Sequence, residues 1–152
     1  MGPGVLSYSS LNAVVERASQ RHVLLVEDND EHAELVEFMM EQTHPELVLE
    51  RFGEAELALR RLKEGSPTPR LILLDLKLPG MSGLDLLAAI KSEPSLRSTP
   101  AVMLTTSNSA RDRACAFENH ANAYLVKPMD FLEFKARIEA TLRFWLDHAD
   151  GL

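Results

Sequence analysis

Five residues could do chemistry together if folding collected them. They are Glu27 and Asp28 in "HVLLVEDNDEH", Asp75 in "LILLDLKLPGMSG", Thr105 in "VMLTTS" and Lys127 in "AYLVKP". Each ends or directly follows a run of apolar residues. Three carboxylates at close range repel unless a cation intervenes, and a hard divalent ion is the natural remedy. Mg²⁺ takes one or two carboxylates together with water and a phosphoryl oxygen. Acids, an ammonium and a hydroxyl around such an ion suit phosphoryl transfer. The plainer alternative is that the acids are solvated loop residues favoured by helix dipoles, which accounts for Asp30, Glu31 and Glu34. It does not account for Asp75, which follows "LILL" and precedes the turn "KLPGMSG" well before the next helix.

The elements that must position these residues are legible as apolar runs of strand length. They lie at 22–26, 47–52, 70–74, 100–105 and 123–126, with segments of helical period between them. Helices are expected near 30–42, 54–64, 83–92, 110–119 and 131–146. Asp30 leads the first, the second ends at Gly65, Ser82 with Asp85 and Ser109 with Asp112 have capping-box spacing, and Asp130 precedes the last with Glu133 three residues on. Strands without polar alternation are those covered by helices on both faces. Repeated strand-then-helix units therefore predict an α/β fold: a five-stranded parallel sheet of flavodoxin-like order 2-1-3-4-5, with helices on both faces. In such a sheet every strand ends at the same edge, and ligands bind there. Strand two, at the sheet margin, ends in Arg51 and Phe52 and is expected to add nothing to the site.

With 152 residues and 45% hydrophobic content, the chain suits one domain over 22–147. Residues 1–21 form an N-terminal extension, partly disordered or a short amphipathic helix through Leu11, Val14, Val15 and Ala18, and 148–152 form a C-terminal tail. A net charge of −7 without blocks of like charge argues against a nucleic-acid partner. No apolar stretch approaches the roughly 20 residues that cross a bilayer, and no secretion signal is recognisable, so a cytoplasmic protein without membrane attachment is expected. The single Cys115 reads as a helix-packing residue. His22, His32, His44, His120 and His148 lack paired metal-ligand spacing and are assigned surface or capping roles.

The motifs "LLVEDN", "LILLDLKLPGMSGLDLL", "VMLTTS" and "AYLVKP" together resemble the receiver domains of two-component response regulators, over about residues 22–142. The 30 residues from Asp75 to Thr105 and the 52 from Asp75 to Lys127 agree with that family. The resemblance implies that Asp75 is the nucleophile accepting a phosphoryl group from a phosphohistidine on a sensor histidine kinase. Mg²⁺, for which Mn²⁺ could substitute, would be held by Asp28, Asp75 and the backbone carbonyl of Lys77, with Glu27 completing the acidic pocket. Many members carry Asp where Glu27 stands, and its longer arm leaves both direct and water-mediated metal contact open. Lys127 would contact the carboxylates and then the phosphoryl group, turned toward the site by a cis Pro128, with a simple proline-directed turn as the plainer alternative. Thr105 is the implied switch hydroxyl and Tyr124 the switch aromatic. Thr106 would narrow access to the site, and Lys77 and Ser107 occupy rim positions that tune loss of the phosphoryl group to water.

The turn after Asp75 contains Pro79, Gly80 and Gly83, whose role is geometric. In the last helix Phe131, Phe134, Ile138, Leu142 and Trp145 make one apolar stripe, while Leu132, Phe144 and Leu146 fall off it. That surplus predicts a homodimer built with the last helix and C-terminal region. Within the family, the segment "LKLPGMSGLDLLAAIKSEPSLRSTPAVMLTTS" and the C-terminal "FWL" resemble stand-alone regulators paired with phytochrome-type photoreceptor kinases. The expected product is a changed protein surface on a phosphoacceptor switch that assists its own phosphorylation and dephosphorylation, not an enzyme. Two alternatives stand beside it. A Mg²⁺-dependent aspartyl-phosphate phosphatase would carry a second acid two residues after Asp75, where Lys77 stands. A phosphorylation-independent scaffold would have lost a site residue, whereas Asp28, Asp75, Thr105 and Lys127 are all present.

Overall fold

Unbroken apolar runs fold as the centre of a parallel sheet in the computed structural model, which describes residues 21–148. The strands are β1 (His22–Val26), β2 (Val48–Phe52), β3 (Leu71–Leu74), β4 (Ala101–Thr105) and β5 (Ala123–Val126), in the order β2-β1-β3-β4-β5. All four pairings are parallel, with Val26 opposite both Phe52 and Leu74, and Leu74 opposite Met103. β3 and β4 are buried throughout and β1 is buried beyond its first residue, while the marginal strands β2 and β5 are mostly half-buried. This is the order and the layering that the sequence predicts.

Because successive strand residues face opposite sides, each run feeds two cores. Leu24, Val26, Ile72, Leu74 and Met103 pack toward α2 (Ala55–Lys63) and α3 (Gly83–Ser92), and Ala116 of α4 (Ala110–Glu118) joins that side. Val23, Leu25, Leu71, Leu73, Val102 and Leu104 pack toward α1 (Asp30–Thr43) and α5 (Phe131–Arg143). Among the described residues, no helix is long and apolar enough to cross a membrane.

Helix starts follow the expected chemistry with one change. Ser82 Oγ accepts from Asp85 N (3.1 Å), Ser109 Oγ from Asp112 N (3.2 Å) and Asp130 Oδ1 from Leu132 N (2.9 Å). At α1 the cap is Asn29, whose Oδ1 accepts from His32 N at 3.0 Å; Asp30 is the first helical residue and instead pairs with Arg51 Nη1 at 2.9 Å.

The last helix departs from the expected stripe. Its α-helical ladder ends at Arg143 and continues as a π turn over Phe144–His148. Leu146, four residues after Leu142, lies on the buried side with it. The buried face is thus Phe134, Ile138, Leu142 and Leu146, with Trp145 half-buried and Phe131 61% exposed. Leu132 and Phe144 remain exposed, as their positions off the stripe predict. The N-terminal extension through residue 20 and the tail beyond 148 lie outside the described residues.

Candidate functional site

At the C-terminal edge of the sheet the hydrogen-bonded ladder runs one residue past several strands, and that residue carries the chemistry. Glu27 N donates to Phe52 O (2.9 Å), Asp75 N to Val26 O (3.0 Å) and Lys127 N to Thr105 O (2.7 Å). The parallel order therefore brings residues 48, 52 and 100 positions apart in sequence to one edge of the sheet. Glu27, Asp75 and Lys127 are all buried, while Asp28 is exposed.

Glu27, Asp28 and Asp75 each offer a carboxylate oxygen within 4.8 Å of the others. Lys127 Nζ donates to Glu27 Oε1 at 2.5 Å and to Asp75 Oδ2 at 3.0 Å. Three acids facing one ammonium leave two negative charges uncompensated, so this donor set fits a hard divalent cation bound through oxygen. Burial pushes the Glu27 carboxyl above its ordinary range and Asp75 adds to this, against the opposing pull of Lys127 and of Asn29 N, which donates to Glu27 Oε2 at 3.2 Å.

The backbone beyond Asp75 is pinned from several sides. Asp75 Oδ1 accepts from Leu76 N (2.6 Å) and more weakly from Lys77 N (3.4 Å), leaving Oδ2 to Lys127. Gly83 N donates to Leu76 O at 2.8 Å, and a β-carbon at Gly83 would fall 1.9 Å from Asp75 O. Only glycine lets α3 begin this close to the acid. Gly80 turns the chain at φ +73°, and Met81 N donates to Glu56 Oε1 at 2.6 Å, tying the loop to α2.

Thr105 is fully buried, and its Oγ1 accepts from Ser107 N at 3.2 Å. Tyr124, half-buried opposite Met103, donates its hydroxyl to Ser107 O at 3.0 Å, with the Arg113 guanidinium 5.3 Å from its ring centre. Ser107 Oγ in turn donates to Asp112 Oδ2 at 2.5 Å. The two expected switch residues thus meet at one serine. Lys77 is exposed at the rim, and Thr106 is exposed along a cleft of about 510 Å³ that also reaches Lys127 and His32.

Three expectations change here. Strand two does contribute: Arg51 Nε and Nη2 donate to Glu27 O at 3.0 and 2.9 Å, because pairing of Leu25 with Arg51 sets that side chain beside the β1–α1 turn. His32 is not merely a surface residue, since its Nδ1 lies 2.9 Å from Lys127 Nζ. Its place one turn into α1, just after the acids, is the signal that could have found it. The Lys127–Pro128 bond is trans; the one cis bond among the described residues is Ser66–Pro67. Lys127 needs no cis bond to face the site, because its N–H is held by β4 and its ammonium by three acceptors.

Known proteins resemble the chain in sequence and in fold. The family model for the response regulator receiver domain matches residues 23–139. The probable methanogenesis regulatory protein FilR2 of Methanothrix harundinacea is 41% identical over 137 residues, covering 88% of each chain. Response regulator Rcp1 of Synechocystis is 37% identical over 130 residues, covering 82% of this chain and 88% of that one. Among solved structures, Mn²⁺-bound Rcp1 superposes with a TM-score of 0.81 at 34% identity, covering 85% of this chain and 96% of that one. The phosphorylated cyanobacterial phytochrome response regulator RcpA gives 0.82 at 29% identity, covering 86% and 97%.

Proposed function

The chain belongs to the response regulator receiver domain family, and from that premise we propose that it is a switch phosphorylated on Asp75 by a sensor histidine kinase. The single observation that carries this reading is the convergence of Asp75 Oδ2 on Lys127 Nζ at 3.0 Å beside two further carboxylates. A carboxylate oxygen of Asp75 attacks the phosphorus of a phosphohistidine, forming the P–O bond as the P–N bond breaks, and the released imidazole takes up a proton. Asp28, Asp75 and the Lys77 carbonyl would hold Mg²⁺, for which Mn²⁺ could substitute, with Glu27 completing the acidic pocket. Charge neutralisation at the carboxylates and at the oxygens of the incoming phosphoryl group is the chemistry such an ion would supply. The Lys127 ammonium supplies a fixed positive charge where negative charge accumulates. Lys77, exposed, and Ser107, buried with its hydroxyl on Asp112, govern how fast the group is lost to water.

The output is a changed protein surface. Thr105 leaves Ser107 N to donate to the phosphoryl group, and Tyr124 turns inward. Resemblance to a phytochrome response regulator supports a phytochrome-type kinase as the donor, acting in the cytoplasm. The exposed Phe131, Leu132 and Phe144 support a homodimer through α5 and the turn after it.

Phosphotransfer from candidate histidine kinases, and incubation with acetyl phosphate and Mg²⁺, test the reading by intact mass. The native chain gains one phosphoryl group and Asp75→Asn gains none. Continuous turnover of the donor without a retained group would identify a phosphatase, and neither outcome would identify a scaffold.

A further inference from the structure

An ammonium has three N–H donors and no acceptor. Lys127 Nζ directs them to Glu27 Oε1, Asp75 Oδ2 and, at 2.9 Å, His32 Nδ1. Two of these acceptors are carboxylates of the acidic pocket. The third is a neutral ring on α1 that the phosphoryl-transfer reading does not otherwise use.

We infer that His32 is a positioning residue, whose Nδ1 holds the third N–H of Lys127 and so fixes the ammonium beside Asp75. The inference rests on Asp75 being the phosphoacceptor. The ring is itself held: its backbone N–H is capped by Asn29 Oδ1, and Phe134 of α5 meets it edge-on at 5.3 Å between centres. With Lys127 buried, removing the acceptor strands one ammonium proton, because the carboxylates already take the other two. The ammonium is then free to tip away from Asp75 Oδ2, weakening its hold where negative charge must be stabilised.

An accepting Nδ1 requires the proton to sit on Nε2, that is, a neutral ring. The charged groups that act on it are Lys127 at the end of β5, Asp75 after β3, and Glu31 and Asp28 at the start of α1 and the turn before it. Burial, and then Lys127, hold the imidazole below its ordinary range, against the three acids.

Two substitutions separate the acceptor from the bulk. In His32→Asn the carboxamide oxygen occupies the place of Nδ1 on the same γ-carbon, whereas His32→Leu fills space with no acceptor. In full-length protein with acetyl phosphate and Mg²⁺, the rate of Asp75 labelling should fall about three- to tenfold in His32→Leu, the scale of one hydrogen bond, and stay within about twofold in His32→Asn. A native rate in His32→Leu, or an equal fall in both variants, overturns the inference. Nitrogen NMR of the Lys127 ammonium gives a second readout independent of labelling: its protons should exchange slowly in the native chain and His32→Asn, and rapidly in His32→Leu. Failure of the native chain to label counts against the phosphoacceptor reading, while the NMR comparison still decides the positioning role.

Discussion

The guanidinium of Arg51 grips the main-chain oxygen of Glu27 from the neighbouring strand, through Nε at 3.0 Å and Nη2 at 2.9 Å, while Nη1 reaches Asp30. A marginal strand thereby fixes the turn that presents both leading acids. Arg51→Ala should cost about 1–2 kcal/mol in urea unfolding and weaken Mg²⁺ binding by calorimetry. Arg51→Lys should recover only part of either, since a single ammonium cannot reproduce the planar fork.

Lys127 is the one cation paired with the side-chain carboxylates of the buried Glu27 and Asp75 among the described residues. Lys127→Met should destabilise the metal-free protein by about 3 kcal/mol, because two neighbouring carboxylates lose their counter-charge. Adding Mg²⁺ should restore part of the loss. Unfolding midpoints with and without the ion measure both effects, and equal losses in the two conditions would contradict the shared-charge description.

Glu27 gives the pH dependence a definite sign. Its carboxyl is raised in the folded chain above 4.5, so between that value and the raised one the folded state binds more protons than the unfolded state. Its contribution to stability is therefore full below the unfolded value and is lost as pH rises through the folded one. Glu27→Gln should flatten this fall in metal-free protein while weakening Mg²⁺ binding. Urea titrations across pH, with calorimetry of the metal, separate the two consequences.

Phe144 is 52% exposed and lines a cleft of about 490 Å³ with Leu125, Ala140 and Trp145. Phe144→Asp should shift light-scattering mass toward the 17.0 kDa monomer with little change in unfolding midpoint. A native chain that is monomeric at high concentration, phosphorylated or not, would remove the dimer from the proposal.

Much of this architecture is legible in one dimension. "LILL" followed by Asp75 reads as a buried strand meeting an acid, because both features are local. The sheet order follows from repetition of strand and helix. What escapes the sequence depends on relations between distant elements. Arg51 reaches Glu27 only through the register of β2 on β1, and His32 meets Lys127 across 95 residues. Leu146 continues the series Phe134, Ile138 and Leu142 at a spacing of four, which a stripe drawn through Trp145 passes over. Pro128 illustrates the reverse error: a geometric device is assigned where ordinary strand bonding already aims the lysine.

Ser107 has its amide hydrogen on the Thr105 hydroxyl and its carbonyl under the Tyr124 phenol. Should the threonine hydroxyl swing away to donate elsewhere, the amide loses its acceptor and the peptide loses its brake at one end. Any swivel that follows tugs on the phenol at the other. News of an event in the notch can thus reach the outer wall by a swap of partners at a single link, with no rearrangement of the packed interior.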